Sequence, residues 1–141
     1  LLPEGIFDCN ELEVYDRYCS QNNNREVIWH LFLDFVRNQV PFDYQNFVYV
    51  DGGFTSDKAF TKDIDIVLDI SHLSDAEAFK EILWWTNNRV NFMNSHKVDF
   101  YLSHSLFQNN LVNYFKYIKQ EEVIARGMQS GSKKGLLRLQ I

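Results

Sequence analysis

The segment Ile64-Asp65-Ile66-Val67-Leu68-Asp69-Ile70 alternates strictly: Ile64, Ile66, Leu68 and Ile70 point one way, and Asp65, Val67 and Asp69 the other. That period of two is a β-strand with one face on a core. Two further segments fit beside it. Phe47-Val48-Tyr49-Val50 reads as a strand closed by the turn Asp51-Gly52-Gly53, and Lys97 to Leu102 alternates Val98, Phe100 and Leu102 against Lys97, Asp99 and Tyr101. A last short strand is expected from Gly135 to Leu139.

Helical periodicity separates these strands. Val27, Ile28, Leu31, Phe32 and Phe35 recur at helical spacing behind Asn24 as an expected N-cap, and Pro41 ends that element. Ser74-Asp75-Ala76-Glu77 is a capping box, with Ala76, Phe79, Ile82 and Leu83 expected on the apolar face behind it. A further helix is expected from about Ser105 to Lys119, carrying Phe107, Leu111, Phe115 and Ile118. Up to Asn24 the chain reads as an irregular lead with a short helix near Glu11–Tyr18. Strands alternating with helices predict an α/β (α+β) fold, a small mixed sheet packed against helices, in one domain over residues 1–141.

Composition narrows the function classes. Apolar residues are 45% of the chain and aromatics 16%, enough for one bulky core. No apolar run approaches the length of about 18 residues that a membrane span needs, so no membrane partner is expected. The opening Leu1-Leu2-Pro3-Glu4-Gly5 does not read as a secretion signal, and without an initiator Met it is expected to lack residues upstream. Cys9 and Cys19 have no zinc spacing and read as reduced thiols of a cytoplasmic protein. The net charge of −5 argues against a long non-specific grip on nucleic acid, although Arg126, Lys133, Lys134 and Arg138 are expected to form a small basic patch.

The chemistry lies in the acids. Asp63 and Asp65 leave one face at the mouth of a strand, with Cα atoms about 6.6 Å apart. Such a pair can converge on one metal or share two ions about 3.5–4 Å apart. Hard carboxylate oxygens suit Mg²⁺ or Mn²⁺. Asp99 repeats the arrangement on another strand, an acid flanked by Val98 and Phe100. An acid in an apolar strand is costly unless its face opens on a site or finds a cation. The bland alternative is a sheet with one wet face.

The order of hydrophobic strand, Gly52-Gly53, nine residues, Asp63-Ile64-Asp65-Ile66 and later Val98-Asp99-Phe100 resembles the signature of the polymerase-β-type nucleotidyltransferase superfamily. More narrowly, Val50 to Lys58, Leu2-Pro3-Glu4-Gly5-Ile6 and Lys134 to Leu139 resemble small stand-alone bacterial nucleotidyltransferase-like proteins. The resemblance implies that Asp63 and Asp65 hold metals bridging a nucleoside triphosphate. Asp99 then completes the second metal's shell and helps deprotonate an incoming hydroxyl. Gly52, Gly53, Thr55, Ser56, Lys58 and Lys62 become the nucleotide-binding candidates. Gly53 stands where the superfamily commonly has Ser, leaving backbone N–H groups, with Thr55 or Ser56 as the source of a hydroxyl. The acceptor is a protein hydroxyl or an RNA 3′ end, and a toxin–antitoxin or phage-defence module with a partner protein is the implied context. A rival reading keeps the fold but not the reaction: a catalytically idle binding module, an antitoxin or complex subunit.

Gly127 to Lys134 misses the phosphate-loop pattern. Arg89 and His96, spaced as in some all-helical ribonucleases, read as a loop before a strand, and His30 reads as structural. Of Trp84 and Trp85, one is expected in the core and one partly exposed, since adjacent helix positions diverge by about 100°.

Overall fold

The computed structural model describes residues 1–45, 47–106 and 115–141. A five-stranded mixed sheet carries the fold: β1 (Gly5–Cys9), β2 (Phe47–Asp51), β3 (Ile64–Asp69), β4 (Val98–Ser103) and β5 (Gly135–Gln140), in the order β1-β5-β2-β3-β4. The outer pairs β1–β5 and β3–β4 are parallel, and β2 runs antiparallel to both β5 and β3. The mixed α/β architecture expected from the alternating periods is the one found.

The strand faces follow the alternation. Val48, Val50, Ile64, Ile66, Leu68, Val98, Phe100, Leu102, Leu137 and Leu139 are all buried in one core cluster. Helix α2 (Asn23–Asp34), continued by a wider turn over Phe35–Gln39, lays Ile28, Trp29, Phe32 and Phe35 on it. Phe35 meets Phe100 at 4.8 Å and Phe92 at 5.0 Å between ring centroids, the tilted and edge-on geometries that aromatic quadrupoles favour.

Several expectations needed correction. The lead is not irregular: Gly5–Cys9 is an edge strand whose side chains are mostly exposed, held by pairing with β5 and by the Arg138–Asp8 ion pair. Its lack of alternation hid it. The short helix behind it is α1 (Glu11–Val14), extended by a π-helical turn over Tyr15–Cys19. The N-cap of α2 is Asn22, which accepts from the Arg25 amide, and not Asn24, whose side chain accepts from Thr61 N instead. Ser74 does cap α3 in a full capping box, but α3 runs from Asp75 to His96, so Arg89 and His96 are helical and not in a loop. Lys97 then stops the helix in the left-handed conformation.

The apolar phase of α3 also differs. Phe79 and Leu83 are exposed and Ala76 faces solvent, while Ala78 is fully buried and Ile82, Trp84, Trp85 and Phe92 pack on the core. Both tryptophans are half-buried, flanking the edge strand β4. Trp84 packs beneath, against Phe100, and Trp85 above, against Tyr101, with its indole N–H on the Phe100 carbonyl. His30 is an exposed residue paired with Glu26. Residues 107–114 of the helix expected over Ser105–Lys119 lie outside the described residues. Ser105, Ile118 and Lys119 are not helical, and a short helix α4 (Gln120–Ala125) follows. Cys9 and Cys19 are free, and burial pushes their thiols up to about 11 and about 12. Among the described residues no helix is long and apolar enough to cross a membrane.

Candidate functional site

Strand register lines up three acids. Asp51 at the end of β2 stands opposite Asp65, and Asp65 stands opposite Asp99 on β4. Directly opposed residues on neighbouring strands have Cα atoms about 5 Å apart, so these carboxylates form a row across β2, β3 and β4 on the face away from the core. Like charges in that relation repel and need compensation.

The two ends of the row have it. Lys134 Nζ lies 2.5 Å from Asp51 Oδ1, with both side chains largely buried, although the contact is a charge pair and not an aligned hydrogen bond. At the other end Arg89 sets Nε and Nη2 on Asp99 Oδ1 at 3.3 and 3.2 Å. Its Nη2 also donates to the Tyr101 hydroxyl at 2.8 Å, and that hydroxyl donates to Asp99 Oδ2 at 3.2 Å. Burial, with Asp99 next in weight, pushes the Tyr101 phenol up to about 12, so it stays a donor.

The middle has no such pair among the described residues, only the weaker field of Lys119. Among the described residues neither Asp65 nor Asp63, just ahead of β3, makes an ion pair. Burial, and then the neighbouring Asp63, Asp99 and Asp51, push the Asp65 carboxyl up to about 7. Burial and Asp99 raise Asp63 as well, with Lys119 and Lys62 opposing.

The glycine turn is built around this acid. Gly52 has φ +79°, and a Cβ there would overlap the Asp65 carboxylate. The turn over Gly52–Thr55 is held from behind by Arg25, 6% exposed, whose guanidinium donates to the carbonyls of Phe54 (3.1 Å), Gly53 (3.1 Å) and Ser56 (2.9 Å). By sequence Arg25 marks only the start of a helix. A buried Arg serving three carbonyls is not signalled by spacing. Arg25→Met is expected to cost about 2 kcal/mol in urea unfolding, since the buried Phe54 and Ser56 carbonyls lose their guanidinium donor while one desolvated cation is removed.

Over the turn and Asp65 opens a cavity of about 330 Å³, lined by Asp51, Asp65, Gly52 and Gly53 on one side and by Lys58, Lys119 and Lys134 among others on the rest. That is within the size range of small-molecule sites. Of the nucleotide-binding candidates, Gly52, Gly53, Ser56 and Lys58 line it, and Thr55 and Lys62 do not. Thr55 Oγ1 is spent on the Gly52 carbonyl at 3.4 Å, and Lys62 is exposed. Ser56 Oγ bonds the Gly53 carbonyl, and Lys58 is paired with Glu122. The expected basic patch is dispersed in ion pairs: Arg126 with Asp57 and Glu122, Lys133 with Glu4, Lys134 with Asp51 and Arg138 with Asp8.

A divalent ion suits the donor chemistry at the centre, two hard carboxylates of raised pKa with no cation of their own. Among the described residues, however, no three His, Cys, Asp or Glu side chains converge as a ready cage, and Asp99 has both oxygens engaged. Asp63 and Asp65 are the two acids left that could hold the ion, and of these only Asp65 lines the cavity. Asp51, at the Lys134 end of the row, was missed as a site residue because its neighbour across the sheet is set by register.

No curated protein and no solved structure matches the chain. A family model matches residues 1–140, and the chain belongs to that family, described as a family of unknown function (DUF6932).

Proposed function

We propose that the protein is a metal-dependent nucleotidyltransferase that moves a nucleoside monophosphate from a nucleoside triphosphate onto a hydroxyl of a protein or RNA acceptor. The observation that carries this reading is Asp65, which has no ion-pair partner among the described residues, at the centre of an acid row whose ends are neutralised, packed on a glycine turn beside a lysine-lined cavity. Mg²⁺ or Mn²⁺, when bound, supplies charge neutralisation at the phosphates. Asp63 and Asp65 hold that charge. Lys119 and Lys134, which line the cavity with Gly52 and Gly53, would meet the phosphate oxygens. The acceptor oxygen forms its bond to the α-phosphorus as the bond to the β-phosphate oxygen breaks, and pyrophosphate leaves. The acceptor's proton passes to the acid face of the site. The chain's contribution is positioning and charge.

By analogy with small stand-alone members of the superfamily it resembles, the setting is the bacterial cytoplasm, in a toxin–antitoxin or phage-defence module with a partner protein. A second reading, a catalytically idle binding module, is favoured by one observation: Arg89 already neutralises Asp99. Each α-labelled nucleoside triphosphate, incubated with the protein, Mg²⁺ or Mn²⁺ and a cell lysate, separates the two. The enzyme reading expects label on protein or RNA, reduced roughly 100-fold or more in Asp63→Ala/Asp65→Ala. Nucleotide binding without transfer supports the idle module. Neither binding nor transfer by folded protein overturns both.

A further inference from the structure

The loop behind the glycine turn is clamped to helix α4 by four charges. Asp57 and Lys58 are neighbours on the loop. Glu122 in α4 and Arg126 at its C-terminal end, four apart, lie on one face. Lys58 Nζ contacts Glu122 Oε1, and Arg126 Nε donates to Glu122 Oε2 at 3.1 Å. Arg126 also grips Asp57 with both of its terminal nitrogens, at 2.6 and 3.3 Å. Of the four side chains, only Lys58 and Glu122 line the cavity.

The three lysines of the cavity lining are not equally free. Lys134 is committed to Asp51, which is buried beside Asp65 in the acid row. Pulling it away would strand a buried carboxylate, although its remaining N–H donors can still face a ligand. Lys119 makes no ion pair among the described residues. Lys58 lies between these cases. It is half-exposed, and its partner Glu122 is already held by Arg126, so Glu122 stays neutralised when Lys58 turns away. An anion entering the cavity can therefore take Lys58 and leave no charge stranded.

We propose that the Glu122 carboxylate is a built-in competitor for the cavity's ligand: the triphosphate chain of the nucleotide takes Lys58 from Glu122, and this exchange sets how tightly the chain is held. This rests on the triphosphate placement in the reading above and needs neither its metal nor its transfer step. A phosphate oxygen offers Lys58 the same kind of charge-assisted hydrogen bond that the carboxylate does. A triphosphate brings several such oxygens, so it can engage Lys58 and Lys119 together. Glu122 is thus an affinity-setting residue that acts through Lys58.

The test is affinity for inorganic tripolyphosphate in chelator, by calorimetry at fixed salt, with circular dichroism to confirm folding. Glu122→Gln keeps the side-chain length and an oxygen for Arg126. It is expected to tighten binding about 3- to 5-fold, the worth of one partly exposed ion pair. Lys58→Met is expected to weaken binding to a similar degree, and in that background Glu122→Gln changes it by less than about 1.5-fold. Glu121→Gln removes the same charge one position away, outside the cavity lining, and is expected to change binding by less than about 1.5-fold. Unchanged or weaker binding in Glu122→Gln, an equal gain in Glu121→Gln, or an equal gain in the Lys58→Met background would each overturn the exchange. No tripolyphosphate bound by folded wild type and folded Glu122→Gln would also overturn it, while metal-dependent transfer is judged separately by the label.

Discussion

Gly52→Ala is expected to destabilise the protein by about 3–5 kcal/mol and to abolish nucleotide binding in the cavity. Two costs add. The backbone at Gly52 sits at φ +79°, a region that side chains other than glycine enter at a penalty of about 1 kcal/mol or more. The larger cost is spatial, since the new methyl would overlap the Asp65 carboxylate, which is pinned between β2 and β4 by register. Neither side yields easily. Rotating the Asp65 carboxylate relieves only part of the overlap, since its Cβ would still lie 3.2 Å from the new methyl, and the turn moves only by breaking the three carbonyl bonds to Arg25. Gly53→Ala is the internal control. Its φ is ordinary, and its Cβ would meet Thr61 Oγ1 at 3.1 Å, a contact relieved by a few tenths of an ångström, so a loss below about 1 kcal/mol is expected. Urea unfolding of both variants beside wild type, with nucleotide affinity by calorimetry, checks the contrast. Equal losses at the two glycines would mean that the turn is merely tight and not fitted to Asp65.

Asp65→Asn is expected to do two opposite things: remove label transfer and raise stability at alkaline pH. The Asp65 carboxyl titrates near 7 in the folded chain, raised by burial and then by Asp63, Asp99 and Asp51, against 3.8 when unperturbed. Between those two values the folded protein holds a proton that the unfolded chain has lost. Stability contributed by this group is therefore fully present below about pH 4, falls as pH rises through about 7, and is level above that. Asn removes the dependence. The variant is expected to be more stable than wild type by roughly 2–4 kcal/mol at pH 8 and by little at pH 4, both in chelator. Chemical unfolding at the two pH values reads this directly. A variant less stable than wild type at pH 8 would mean that Asp65 already has a cation partner. Trading stability for an unneutralised charge is the behaviour of a ligand-binding position and not of a structural one.

Much of this was legible from residue order, for reasons that can be stated. Strands β3 and β4 announce themselves because burial on one face leaves a two-residue period, and the same period gives Asp65 and Asp99 their places on the face away from the core. The capping box at Ser74 is a local signal and was found at its position. What failed was non-local. β1 has no alternation because it is an edge strand made by its partner, and Asp51 joins the acid row only through a register that no single strand encodes. In α3 the period was right and the phase was not. Phe79 and Leu83 are bulkier than Ala78, yet it is Ala78 that lets the helix approach the core closely. The cations at the row's ends, Lys134 and Arg89, come from segments far along the chain from Asp51 or from a helix read as a loop.

The central claim is that Asp65 is the one acid of the row that waits for a cation. Its side-chain carboxyl ¹³C resonance, followed against pH and assigned by its loss in Asp65→Asn, tests that most directly. A titration near 7 in chelator that moves lower in millimolar Mg²⁺ is expected. A titration near 4 in chelator, or one near 7 that Mg²⁺ leaves in place, would contradict it.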